Sequence, residues 1–86
     1  PAIHTAEAEY VMVVQGSGTL VTGGILSHQR LVSPGFVDGA VIEGGTTRPL
    51  AQGDVVLIPA GVPHWFGIPG EPLVLLGIKI PTQSVP

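Results

Sequence analysis

Apolar residues along this chain come in short runs, and no window repeats them at the i, i+3, i+4, i+7 spacing of a helix. Residues 9–15 read Glu-Tyr-Val-Met-Val-Val-Gln, a strand with Glu9, Val11, Val13 and Gln15 on one face and Tyr10, Met12 and Val14 on the other. The strand ends in Gly16-Ser17-Gly18, and residues 19–22 return from that turn as far as Gly23-Gly24. Residues 25–39 are the least regular, a loop or loose hairpin with Ser33-Pro34-Gly35 as its turn. A short strand at 40–43 precedes Gly44-Gly45, where Glu43 reads as a turn residue. Residues 48–50 lead into the turn Ala51-Gln52-Gly53-Asp54, which Asp54 closes by bonding to backbone.

The strand Val55–Ile58 stops at Pro59, and His64-Trp65-Phe66 opens the next, with His64 and Phe66 pointing one way and Trp65 the other. Residues 73–80 form a last strand closed by Pro81, and 82–86 read as a frayed tail. Many short strands at even spacing predict an all-β sandwich or barrel. Residues 73–78 are apolar on both faces, so both need a cover, and in so small a domain a neighbouring subunit is the expected second one.

With 86 residues the chain predicts one domain, spanning 1–86. A domain of this size hides only about 60–65% of the surface its unfolded chain exposes, so a partner chain or a metal is expected to help. Only 10% of residues are charged while 44% are apolar, which predicts an outward apolar surface and a homodimer. Cysteine is absent, so any metal must sit on His, Asp or Glu. Three bases against six acids leave nothing for nucleic acid to bind. No apolar run reaches the roughly 18–20 residues of a membrane span. No leader pattern opens the chain either, so the expected location is cytoplasmic, with Pro1 either a processed terminus or the edge of a longer protein.

Two segments carry chemistry. In the first, Glu9 begins an otherwise apolar inward face, where a carboxylate is costly unless a metal or donor compensates it. His4 reaches the same point if the chain bends at Thr5-Ala6, and Glu7 shares the strand face as a substitute. In the second, a strand, a Pro-Gly turn and His64 follow in order. His4, His64 and Glu9 converging from different strands make a two-histidine, one-carboxylate site for a divalent transition metal, with positions left open.

These segments resemble the two signature motifs of the cupin family. His4, with four residues between it and Glu9, and Gly16, with six residues between Glu9 and it, fit the end of the first. Gly53, Pro59, Gly61 and His64 reproduce the second at each interval. The stretches at 21–24, 42–45 and 63–66 are similar to small bacterial cupins. The resemblance spans residues 2 to about 80 and implies a small jelly-roll β-barrel. It also implies Fe, Mn, Ni or Zn on His4, Glu9 and His64, with dioxygenase, isomerase or lyase chemistry on a small organic substrate. Ala2 stands where the family has its first motif histidine and Ile68 where it has an asparagine, and the strand that usually precedes the motif is missing.

A non-catalytic small-ligand or sensor module, and a structural dimer with a vestigial site, remain alternatives on the same fold. Beyond Glu7 and Tyr10 no general acid or base is visible. His28 and Arg48 read as surface residues, Trp65 and Phe66 as core or interface, and Tyr10 and Met12 as packing opposite Glu9.

Overall fold

Glycine and proline cut this chain into strands of two to nine residues. The computed structural model describes residues 1–67 and 72–81, and every regular element in them is a strand. In chain order these are β1 (Ala2–His4), β2 (Glu7–Gln15), β3 (Gly18–Thr22), β4 (Ile25–Leu26), β5 (Arg30–Ser33) and β6 (Phe36–Asp38). They are followed by β7 (Ile42–Glu43), β8 (Thr46–Leu50), β9 (Val55–Ile58), β10 (His64–Gly67) and β11 (Val74–Pro81). The order β5-β6-β1-β10-β3-β8 makes a six-stranded sheet, β11-β2-β9 a three-stranded one, and β4-β7 a small pair. Each pairing is antiparallel.

Period-two alternation sorts the side chains. Along β9, Val55 and Leu57 are exposed while Val56 and Ile58 are buried. On β2, Val11 and Val13 are each 2% exposed. They join Leu20, Leu50, Val56 and Ile58 in one cluster fed by both large sheets, with Phe66 and Leu75 packed against it. The sheets therefore close face to face over a shared apolar core, a small β-barrel of the jelly-roll kind.

The turns follow their residues. Ser33-Pro34-Gly35 joins β5 to β6, with Arg30 and Asp38 paired across the ladder at 2.9 Å. At 51–54 the Asp54 amide donates to the Ala51 carbonyl (3.0 Å) and the Ala51 amide to Asp54 Oδ2 (2.8 Å). Gly16, at φ +87°, is fixed twice over: a Cβ there would lie 2.1 Å from the Pro72 carbonyl oxygen.

Several expectations need correction. Residues 2–4, the start of the first motif, form a strand of their own, β1, and β2 begins at Glu7 rather than Glu9, because the bend at Thr5-Ala6 folds three residues back to pair with β6 and β10. The irregular stretch 25–39 contains β4 and the β5–β6 hairpin, whose strands are too short and too exposed to show alternation. The strand expected at 40–43 is only Ile42–Glu43, and the one at 48–50 begins at Thr46. Tyr10 and Met12 lie on the face opposite Glu9 as expected, and that face is the outer one, where each is 38% exposed. Leu76 and Ile78 stand half exposed on the outer face of β11, where a neighbouring subunit is the expected cover. Ile68 and the tail at 82–86 lie outside the described residues.

Candidate metal centre at the barrel mouth

Local backbone chemistry brings β1 against β10. Pro59-Ala60-Gly61-Val62 is a tight turn, with Val62 N–H donating to the Pro59 carbonyl at 3.3 Å and Gly61 at φ +81°. Glycine in the third position is what such a turn requires. The Gly61 amide then donates to the His4 carbonyl (2.8 Å), and Thr5 N–H donates to the Gly35 carbonyl (2.9 Å). β1 is thereby held from two sides, and its register places Ala2 opposite His64 and His4 opposite Phe36.

The three expected ligands are neighbours. His64 is 7% exposed, and its Nε2 lies 4.0 Å from Glu9 Oε1. The His4 and His64 rings are stacked, centroids 5.4 Å apart at 27°. Phe36 flanks His4 at 5.0 Å, and Phe66 meets His64 edge-on at 6.3 Å. The imidazoles thus sit in a short aromatic column between the carboxylate and the six-stranded sheet.

His64 Nδ1 donates to the Val62 carbonyl at 3.1 Å, since a carbonyl can only accept. That bond fixes the tautomer and leaves Nε2 with its lone pair on the side of Glu9. Burial pushes the His4 pKa down, with the nearby charges of Lys79 and His64 adding to the effect and Glu9 and Glu7 opposing it. A neutral His4 keeps its own lone pair available. Glu9 is largely covered, its side chain 17% exposed, and makes no hydrogen bond to another described residue.

Two nitrogens and one carboxylate oxygen suit a divalent transition metal in kind. Their spacing is open: no group of three or more His, Asp or Glu among the described residues stands close enough to hold an ion. Ligands side by side on one metal at bond lengths near 2.1 Å are about 3–3.5 Å apart, so the pair at 4.0 Å must close by roughly half an ångström.

The remaining candidates sort by strand face. Glu7 shares the inner face with Glu9 but stands two residues further along, opposite Pro81. Tyr10 points outward between Leu57 and Ile78 and is removed from any role at the mouth. Lys79 was missed: it pairs with Glu9 across the β2–β11 ladder and shares its face. An inward period-two pattern through Leu75, Gly77 and Lys79 is the signal that could have found it. His28 is exposed in the β4–β5 turn at φ +50°, and Arg48 is exposed, 3.9 Å from Asp54. A cavity of about 400 Å³ lies on the opposite side of β10 from His64, beside Trp65, Val21, Thr47 and Gly45. The histidine cluster and this cavity are separate features.

No helix of the described residues is long and apolar enough to cross a membrane. No curated protein and no solved structure matches the chain. The cupin domain family model matches residues 38–79, which takes in β7 to β10, most of β11 and the whole Gly53–His64 motif, but neither His4 nor Glu9. That match, lying on an all-strand jelly-roll barrel, supports membership of the cupin superfamily.

Proposed function

We propose that His4, Glu9 and His64 bind one divalent transition metal ion at the barrel mouth, and that the protein acts there on a small organic molecule. The observation that carries this reading is the His64 ring. It is buried, its Nδ1 is committed to Val62, and its Nε2 lies on the side of a carboxylate with no other hydrogen-bonding partner described. A partly buried acid facing an imidazole nitrogen across 4.0 Å has no close partner as it stands, and a cation between them would compensate both groups.

A divalent metal on three protein ligands supplies Lewis acidity and open positions for substrate. The chain's own residues would do the rest. Phe36 and Phe66 hold the imidazole planes, the Val62 carbonyl sets the His64 tautomer, and Lys79 offers a positive charge beside Glu9 for an anionic group.

Calorimetric titration of the metal-free protein with Zn²⁺ or Ni²⁺ tests the reading. One ion should bind per chain, and His64→Ala should weaken binding at least about 100-fold. His28→Ala should leave it unchanged. Equal losses from both variants, or no binding by the parent protein, would sink the assignment.

A second reading, a binding module without metal, draws on the cavity beside Trp65. Trp65 is the only tryptophan, so its fluorescence reports occupancy directly. Quenching by a small metabolite in the presence of a chelator would favour this reading over the first.

A further inference from the structure

The outer face of the six-stranded sheet holds the cavity beside Trp65. Its floor is a row across three neighbouring strands, with Trp65 on β10, Val21 on β3 and Thr47 on β8. Residues 40–45 stand beside that floor as a wall carrying Ala40, Val41 and Ile42. Hydrogen bonds hold the wall in place. The Ala40 amide donates to the Ser27 carbonyl and the Ser27 amide to the Val41 carbonyl, both at 2.9 Å, and Ile42 pairs with Leu26. Two glycines shape the space. A Cβ at Gly45 would lie 2.9 Å from Val21 Cγ1 and from Ile42 Cγ2, in the corner between floor and wall. A Cβ at Gly67, two residues along the same face, would lie 3.4 Å from Cη2 and Cζ3 of the indole, so the Trp65 ring lies low over Gly67.

We infer that this cavity binds a small, uncharged aromatic molecule, stacked on Trp65 with a polar substituent directed to Thr47. The inference rests on the cavity reading above, to which it adds the ligand class, and not on the metal. Size and lining support it. At about 400 Å³ the cavity falls within the roughly 300–1,000 Å³ of small-molecule sites, which are mainly apolar with a few polar groups. No side chain lining it carries a charge, so an ionised ligand would lose hydration without gaining a partner. The indole presents an aromatic face, and offset or edge-on ring pairs are stabilised beyond the area they bury. Thr47 is exposed, and its hydroxyl both donates and accepts, which suits a phenol or an aryl amine. Trp65 is 48% exposed and Val41 50%, so the cavity opens to solvent and a ligand there covers apolar surface that the fold leaves bare.

NMR titration of the isotope-labelled full chain tests it. Trp65 is the only tryptophan, so its indole N–H gives a single peak. Para-cresol should move that peak saturably, half-way below about 1 mM, with or without a chelator. Benzoate, a similar ring carrying a charge, should bind at least about tenfold more weakly. Cyclohexanol has the hydroxyl but no π-face and should bind about three- to tenfold more weakly. Thr47→Phe fills the cavity from an exposed strand position and should weaken para-cresol binding at least about tenfold, whereas Leu57→Ala, on the other sheet, should leave it unchanged. If Thr47→Phe loses the dispersed spectrum of the parent, Val41→Phe fills the same space from the wall and should show the same loss. A saturable shift with benzoate or cyclohexanol but not with para-cresol overturns the ligand class and leaves the cavity reading standing. No saturable shift from any of the three up to about 10 mM overturns both. Para-cresol binding unchanged in both filled variants overturns the site.

Discussion

Ala2 and His64 stand directly opposite one another across the β1–β10 ladder, so the smallest side chain on β1 faces the buried imidazole. Cross-strand partners in an antiparallel pair share a sheet face, with Cβ atoms about 4.5–5.5 Å apart. A longer donor at position 2 would therefore enter the His4, Glu9 and His64 cluster. Ala2→His is expected to tighten divalent-metal binding at least about tenfold, as a fourth ligand closes the open spacing. Calorimetry with Ni²⁺ on the variant and parent checks this. An unchanged affinity would mean that the cluster is not the binding place.

His4 gives the metal-free protein a pH dependence of definite sign. Its pKa is lowered in the fold, first by burial and then by Lys79 and His64. Between its ordinary value of 6.5 and the lowered one, the unfolded chain holds more protons than the folded chain. The stability contributed by a neutral His4 is thus complete above 6.5 and declines as pH falls through that window. The urea midpoint should drop between about pH 7.5 and about pH 5.5, and drop less in His4→Gln. A steeper loss in the variant would reverse the assignment.

Lys79 opposes both proton and metal binding at this cluster, because its charge shares the Glu9 face. Lys79→Met should raise the His4 pKa toward its ordinary value, visible as an upfield-to-downfield shift of its ring protons at a higher pH in NMR titration. Metal affinity should rise about two- to threefold, the size expected for a neighbouring charge in a partly solvated site. A fall in affinity would show that Lys79 supports the carboxylate instead.

Two glycines separate conformational need from spatial need. Gly16 combines φ +87° with the Pro72 carbonyl oxygen at 2.1 Å from a hypothetical Cβ, whereas Gly61 at φ +81° has open space around it. Gly61→Asn should cost no more than about 1 kcal/mol, since asparagine tolerates the left-handed region. Gly16→Asn should cost about 2–4 kcal/mol, because the β2–β3 turn must shift as well. Urea unfolding of the two variants decides the matter, and equal costs would contradict the geometry.

Much of the barrel was legible along the chain. Val55–Ile58 alternates in burial as its sequence predicts, and the Asp54 side chain closes its turn as expected. The spacing from Gly53 to His64 placed the histidine at the start of a strand, facing inward with Phe66 behind it. β1 was not legible, because three residues carry too little pattern to announce a strand. The β5–β6 hairpin escaped for a related reason: β5 is exposed along its whole length, so no buried face imposes a period.

What the sequence by itself determined are features set within a few residues. The two-residue period of a strand, the positive φ that glycine permits and the φ that proline imposes are local, so turns, faces and the inward aim of Val11, Val13 and His64 could be read directly. The tertiary structure alone decided which faces meet. Ala2 opposite His64 and Lys79 opposite Glu9 both follow from pairings between strands far apart in the chain. Such register is fixed by the burial of a shared core rather than by any one segment, and a shift of one residue would have exchanged every inward side chain for its neighbour.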